Sequence, residues 1–224
     1  LDVDKAAGSA QKFSASLLSA YKNMLKFSLA SAAIYAPIRA LRDGLKALEE
    51  IDAELTTIKK VTGGTSEEIT ALGEKMTGLA KAYGAVTTSI LKAASTFSRA
   101  GYTGTVLEAM TELSALTQNV GDVTAETAAK FLLATDAAFK FGGSEEKLAS
   151  VVDGLNEITN KHATDFDKLT DGMTVAASVF AEAGEDVQTF AALLGAGTAA
   201  TQRSGSEIAR GLRTILMNIR QIRG

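Results

Sequence analysis

The chain has 224 residues, of which 46% are hydrophobic and 22% charged, and its formal net charge is −3. It contains no cysteine and one histidine, which excludes a disulfide scaffold, a thiolate zinc site, a cysteine nucleophile and a multi-histidine metal site. Alanine is abundant and aromatic residues make up only 6%, a composition that favours helices over sheets. We therefore expect an all-α protein with a binding or structural role, no enzymatic activity and no cofactor.

A long helical segment is predicted over residues 1–61. Its apolar residues recur at gaps of three and four, close to the 3.5-residue period of a coiled-coil seam. Pro37 lies inside this run and predicts a kink or break near Ala36. A narrow seam of this kind requires a partner helix, in the same chain or in another copy. The seam residues are Ile34, Ile38, Leu41, Leu45, Leu48, Ile51, Leu55 and Ile58.

Residues 62–224 predict a compact bundle of alanine-rich helices. A glycine followed by a hydroxyl residue and a glutamate recurs at Gly64–Glu68, Gly143–Glu146 and Gly205–Glu207. Here the hydroxyl can cap backbone N–H groups, and the carboxylate lies at the positive end of the helix dipole. The overall prediction is all-α, a long N-terminal helix or helical hairpin followed by a compact multi-helix bundle. The predicted helices span residues 5–35, 38–60, 66–82, 86–99, 105–118, 124–140, 145–160, 165–183, 186–197 and 204–221.

Small residues are expected where these helices cross. Ala176, Ala177, Gly195 and Gly197 lie inside predicted helices, and side chains of this size let two helix backbones approach closely. Their presence indicates packing rather than chemistry.

The C-terminal helix carries a candidate partner-docking face. Residues 101–202 have 5 basic and 15 acidic residues, whereas residues 203–224 have 5 arginines and one glutamate. Arg203, Arg210, Arg213 and Arg220 fall on one arc of a helical wheel, opposite the apolar positions. This face could meet protein carboxylates, an anionic membrane surface or phosphates. Docking on protein acids is favoured over nucleic acid, because no aromatic residues interleave with the arginines and the rest of the chain is acidic.

Candidate catalytic and metal-binding residues are few. His162 is the only imidazole, and no G-x-S-x-G motif supplies a nucleophile for it. Asp165, Asp167 and Asp171 lack the central glycine and terminal glutamate of a calcium-binding hand, so charge at a helix N-terminus explains them better. Paired carboxylates suited to glycoside cleavage are not accompanied by an aromatic sugar platform. These pairs are Glu49–Glu50, Glu67–Glu68 and Glu145–Glu146.

The longest uncharged stretch near the start runs from Phe27 to Ile38. It is much shorter than the roughly 20 residues of a spanning helix. A buried helix segment is the favoured interpretation.

Six segments follow one another along residues 35–220: EEIDAELTTIKK (49–60), VTGGTSEEI (61–69), ASTFSRAGY (94–102), VVDGLN (151–156), FAEAG (180–184) and GSEIARGLR (205–213). In this order they resemble the shared helical domain of phage tail tape measure proteins, minor tail proteins of long-tailed bacteriophages.

The resemblance implies a virion structural protein that scaffolds the tail tube, determines tail length and leaves the tube before DNA passes. It implies a location in the tube lumen or at the tail tip, and in the host cytoplasm during assembly. The implied partners are further copies of the chain, tail tube, tail tip and assembly proteins, with transient contact to the host membrane and no sequence-specific nucleic acid. As continuous helix the chain would span at most about 330 Å, so we expect a longer parent chain.

Two alternatives from other classes compete with this interpretation. A membrane-active helical protein of the toxin or pore type would use the alanine-rich helices, the Phe27–Ile38 stretch and the amphipathic arginine helix. A lytic enzyme would need one of the glutamate pairs. Dye leakage from vesicles and release of muropeptides from cell wall separate these alternatives from the structural role.

Overall fold

The computed structural model describes residues 43–223, with side chains through residue 219. Every regular element in this range is an α-helix, which confirms the predicted all-α class. The predicted helix over residues 5–35 and the expected kink at Pro37 lie outside the described residues. The helices are α1 (residues 43–62), α2 (Ser66–Ala82), α3 (Thr87–Arg99), α4 (Gly104–Gly121), α5 (Ala125–Phe139), α6 (Glu145–Lys161), α7 (Phe166–Glu182), α8 (Val187–Thr201) and α9 (Gly205–Arg223).

The chain divides into two units between Glu49 and Glu50. This point lies inside α1, so residues 50–62 of that helix belong to the same unit as α2–α9. The predicted boundary between residues 61 and 62 stays a prediction.

Local capping explains why the helices begin where they do. The Thr65 hydroxyl accepts a hydrogen bond from the Glu68 N–H at 3.2 Å, and the Glu68 carboxylate accepts one from the Thr65 N–H at 2.8 Å. The Ser144 hydroxyl caps α6 by accepting a hydrogen bond from the Lys147 N–H at 3.5 Å, without a reciprocal side-chain bond. At the third predicted start the cap is Ser204 rather than Ser206, with the Glu207 N–H donating to the Ser204 hydroxyl at 3.3 Å. The reason is that α9 already includes Gly205, which leaves Ser206 inside the first turn.

Substitution of Thr65 by alanine is expected to lower the free energy of unfolding by about 1 kcal/mol, since both halves of the capping box are lost. Thr70→Ala on the exposed face of the same helix is the matched control. There alanine has the higher helix propensity, so stability should stay level or rise slightly. Urea denaturation followed by circular dichroism measures both. Equal losses in the two variants would contradict the capping role.

Helix α7 lies at the centre of the second half of the bundle, in contact with α5, α6, α8 and α9. Its inward face combines large and very small side chains, including the fully buried Leu169 and Met173 beside Ala176 and Ala177. Phe180 of α7 stacks on Phe190 of α8 with ring centroids 4.1 Å apart. The predicted burial of the two alanines is therefore confirmed.

Two predicted glycine contacts are also confirmed. A Cβ atom at Gly195 would lie 2.6 Å from the Ile158 Cγ2, and one at Gly197 would lie 2.6 Å from the Ile208 Cγ2. At both glycines, an isoleucine of the neighbouring helix occupies the space that a side chain would fill. Helix α8 continues through them and ends at Thr201, four residues beyond the predicted end, where Gln202 adopts the left-handed conformation.

Candidate partner-binding surface

The first half of α9 is anchored to the bundle. Ala209 is fully buried, and Ile208 and Leu212 pack against the core. The Ser206 N–H donates a hydrogen bond to the Asp171 carboxylate of α7 at 2.9 Å. These contacts fix the direction in which the rest of the helix leaves the bundle.

The second half of α9 is largely uncovered. Over residues 213–219, which we call the α9 arm, the only side chain that is not exposed is the half-buried Leu216. Ile215, Met217 and Ile219 are exposed to 57%, 45% and 43%. Ile215 and Ile219 lie on one face of the helix, and Met217 lies on the opposite face among the arginines. The exposed apolar face of the arm therefore consists of the two isoleucines.

The predicted arginine face lies on this same helix and just before it. Arg203, Arg210 and Arg213 are exposed. Arg203 forms an ion pair with Glu207 one turn later, so part of its charge is neutralised locally. The side chain of Arg220 lies outside the described residues. The docking role of the four arginines stays a prediction. Arg210 is exposed just before the arm, and Arg213 is exposed at its first position.

The burial of the predicted helix-seam residues increases along the chain. Ile34, Ile38 and Leu41 lie outside the described residues, and Leu45 and Leu48 are exposed to 63% and 62%. The last three positions face the bundle core: Ile51 and Leu55 are half-buried against it, and Ile58 is completely buried. The C-terminal part of the seam therefore packs within the chain, and a second helix on the seam stays a prediction.

A surface groove that sequence analysis did not identify runs between α6 and α8. Three adjoining cavities of about 430, 170 and 440 Å³ line up along it. The first two share Ser150, Val187 and Gln188, and the last two share Ile158. Phe139 and Phe141 lie at one end, and His162 lies at the other. We call this feature the α6–α8 groove.

One wall of the groove is formed by α8, a helix without a single charged residue. Its outward positions include Ala192, Ala196 and Ala200, all exposed, and Leu193, which is 44% exposed. This run of uncharged residues was readable in the sequence, but only the fold shows that its alanines face outward beside α6.

The rim of the groove is acidic. Glu146 and Asp186 line its first cavity, and Asp153 and Glu157 are exposed on α6. A hydrogen bond from the Thr189 N–H, at 2.6 Å, lowers the pKa of the Asp186 carboxyl. Two lysines lie beside these carboxylates. Lys147 also lines the first cavity, 5.6 Å from the centre of the Phe141 ring, and Lys161 pairs with Glu157, so part of the charge of that carboxylate is neutralised locally. The groove thus combines apolar lining residues with charged residues of both signs, among which the carboxylates outnumber the lysines.

The residues that were candidates for catalysis or metal binding lie at helix ends or pair with neighbouring groups. His162 ends α6 beside alanines of the groove, Asp165 precedes α7 and pairs with Lys168 at 2.9 Å, and Asp171 caps α9. The pairs Glu67–Glu68 and Glu145–Glu146 occupy the first turns of α2 and α6, as predicted. Within residues 43–223, no group of three or more His, Cys, Asp or Glu side chains could hold a metal ion.

The structure contains a buried polar contact that no signal in the sequence indicated. Asp136 of α5 is 3% exposed, and its carboxylate accepts hydrogen bonds from the Tyr102 hydroxyl and, at 2.8 Å, from the Gly143 N–H. Burial, followed by the hydrogen bond with Asp136 and its charge, raises the pKa of the Tyr102 hydroxyl far above its ordinary value. This contact ties the turn before α4 to the loop before α6.

No helix in the described part of the chain has the length and apolar character that crossing a membrane requires. The Phe27–Ile38 stretch lies outside that part.

Most of the described helices fall within the range of a known protein family. The family model described as phage-related minor tail protein matches residues 66–222. The match begins at the first residue of α2 and ends within α9, so it covers both the α6–α8 groove and the α9 arm. No solved structure matches the chain.

Proposed function

Because the chain belongs to the phage-related minor tail protein family, we propose that it is the helical domain of a tape measure protein. In this role it scaffolds the tail tube, sets tail length and leaves the tube before DNA passes. The family supports a structural, virion-associated role over a catalytic one. The observation that carries the finer proposal is the family match over α2–α9 together with the ordered segments that resemble tape measure proteins.

The exposed surfaces support an assembly role. The α9 arm presents three large apolar side chains, and the α6–α8 groove presents an uncharged helix to the outside. Exposed apolar side chains that share one face, as Ile215 and Ile219 do, are typical of sites that bind other proteins. We propose as partners further copies of the chain and proteins of the tail tube and tail tip, with transient host membrane contact and no sequence-specific nucleic acid.

The membrane-active alternative is not favoured, because the family to which the chain belongs is one of phage tail proteins. Leakage of dye from anionic vesicles at micromolar protein would revive it. The proposed locations are the tube lumen or tail tip in the virion and the host cytoplasm during assembly.

Tail length measured by negative-stain electron microscopy tests the proposal. Deleting about 60 codons in frame downstream of this domain should shorten the tail by roughly 90 Å, since a helix rises about 1.5 Å per residue. An in-frame insertion of the same length at the same site is the matched control and should lengthen the tail by a similar amount. Tails of unchanged length in both strains would make the protein a tip or assembly component instead.

A further inference from the structure

We propose that the helix predicted over residues 5–35 folds back along the beginning of α1 and covers Leu45 and Leu48. The two helices form an antiparallel hairpin with its turn at Pro37. The returning helix then lies beside α1, whereas residues 1–42 as a continuous helix would extend α1 by about 60 Å. The inference concerns the fold of the chain and does not rest on the tape measure proposal.

The beginning of α1 presents an apolar face that the described residues leave uncovered. Leu45 and Leu48 are exposed to 63% and 62%, and they share one face because they lie about 60° apart on the helical wheel. Glu49 is exposed at the edge of this face. Large apolar side chains exposed side by side on a helix are typical of a surface that another helix covers.

The chain itself supplies the segment that covers this face. The chain divides between Glu49 and Glu50, so the two leucines belong to the same unit as the 42 residues that precede α1. Charge favours the same occupant, because residues 5–35 contain four lysines and no acidic residue. Residues 43–54 of α1 contain five acidic residues and one lysine, and of these only Glu50 forms an ion pair, with Lys92, within the described part of the chain. Opposite charges on two helices orient one against the other.

The spacing of the leucines gives the hairpin its register. Leu29 lies eight residues before Pro37 and Leu45 lies eight residues after it. Leu25 and Leu48 lie twelve residues before and eleven residues after the proline. Because Leu25 and Leu29 are about 40° apart on the helical wheel, a turn at Pro37 places them together opposite the leucines of α1. Proline favours a turn here, since it lacks a backbone N–H and disfavours the helical conformation of the residue before it.

The charged residues agree with this register. Lys26 lies eleven residues before Pro37, and Glu49 lies twelve residues after it. Each is displaced by roughly 70–80° from the middle of the leucine pair on its own helix, in the same rotational sense. In an antiparallel pair of helices, positions displaced in the same sense lie on the same side of the contact. The hairpin therefore brings the Lys26 ammonium beside the Glu49 carboxylate while the leucines meet.

A pair of introduced cysteines tests the hairpin, because the chain has no cysteine of its own. In the full chain with Leu29→Cys and Leu45→Cys the two thiols face each other, so mild oxidation should close an intrachain disulfide. The control combines Leu29→Cys with Ala47→Cys. Ala47 is exposed about 130° from the middle of the leucine face, so this pair should oxidise at least tenfold more slowly, as an order of magnitude. Non-reducing electrophoresis and peptide mass spectrometry at low micromolar protein measure both rates.

Three results of this experiment would overturn the proposal. Equal oxidation rates of the two cysteine pairs, or no disulfide in either, would mean that residues 5–35 do not lie on the leucine face. A disulfide between two chains would mean that a second copy covers this face instead.

Cleavage by trypsin after Lys26 gives a second readout that needs no cysteine. The double variant Leu45→Glu/Leu48→Glu should raise the cleavage rate by about tenfold, because the returning helix loses its contact and opens more often. Ile215→Glu/Ile219→Glu makes the same change at two exposed isoleucines of α9 and should leave the rate unchanged. Thermal unfolding by circular dichroism checks that both variants are folded.

An unchanged cleavage rate in the α1 variant, or an equal increase in the α9 variant, would contradict the hairpin. None of these results depends on tail length, so this inference and the tape measure proposal can fail separately.

Discussion

Replacing Gly205 with alanine is expected to lower the free energy of unfolding by about 3 kcal/mol or more. Gly205 is the first residue of α9 and is buried against α7. A Cβ atom at this position would overlap the carbonyl oxygen of Lys168 and would lie 3.0 Å from the Gly172 nitrogen. Both obstacles are backbone atoms of the central helix α7, which cannot move without disturbing its contacts with α5, α6 and α8.

A second glycine in the same helix provides the control. Gly211 has no neighbouring atom within 4 Å of an added Cβ, so Gly211→Ala should raise the free energy of unfolding by about 0.5–1 kcal/mol through helix propensity. The change in the free energy of unfolding caused by Gly172→Ala should lie between those of the other two variants. Its Cβ would meet the Leu194 side chain at 2.6 Å, which can move in part, and the Gly205 carbonyl oxygen at 2.9 Å. Urea denaturation ranks the three variants. A cost below about 1 kcal/mol for Gly205→Ala would show that the α7–α9 crossing is looser than described.

Replacing Asp136 with alanine is expected to cost about 3 kcal/mol. The substitution leaves two half-buried donors, the Tyr102 hydroxyl and the Gly143 N–H, without their common acceptor. Gly143 cannot adjust freely, because the Val106 Cγ1 lies 2.5 Å and a Tyr102 ring carbon 3.2 Å from where its Cβ would be. Asp153→Ala on the exposed face of α6 is the matched control and should change stability by less than about 0.5 kcal/mol. Similar effects of the two substitutions in chemical denaturation would contradict a structural role for the buried carboxylate.

The same contact predicts how stability changes at alkaline pH. The pKa of the Tyr102 hydroxyl is raised above its ordinary value of 10.0, so the folded state favours the neutral phenol. The stabilisation of the folded state by the Tyr102 hydroxyl is fully present below pH 10.0. It is lost as the pH rises above that value, because the unfolded chain then releases the phenol proton first. Tyr102→Phe should therefore be less stable than the unmodified chain near neutral pH and should lose less stability above pH 10.0. If the stability of the two proteins changed in parallel with pH, Tyr102 would ionise in the folded state as it does in the unfolded one.

The sequence predicted the helices well because their signals are local. A hydroxyl cap and its carboxylate lie three residues apart, so Thr65 and Glu68 identify the start of α2 without knowledge of any neighbour. The small residues Ala176 and Gly195 likewise predicted close helix contacts. The family resemblance followed from ordered short segments, and the match over residues 66–222 supports it.

The sequence predicted the apolar stripe of the candidate binding surface but not which of its residues are exposed. The periodicity of α9 predicted an apolar stripe opposite its arginines, but it could not separate Leu212, which packs on the core, from Ile215 and Ile219, which remain exposed. The reason is that burial along an amphipathic helix depends on how far the neighbouring helices extend. That extent is decided by tertiary packing.

The all-helical class, most of the helix starts and the charge asymmetry could be derived without any structure, since these depend on residues within a few positions of one another. The surfaces, by contrast, depend on how the helices pack against one another. The α6–α8 groove joins residues of two helices, Asp136 meets a tyrosine 34 positions away, and Gly205 meets the backbone of Lys168. Such contacts arise when helices distant in sequence cross, and their positions depend on the packing of the whole bundle.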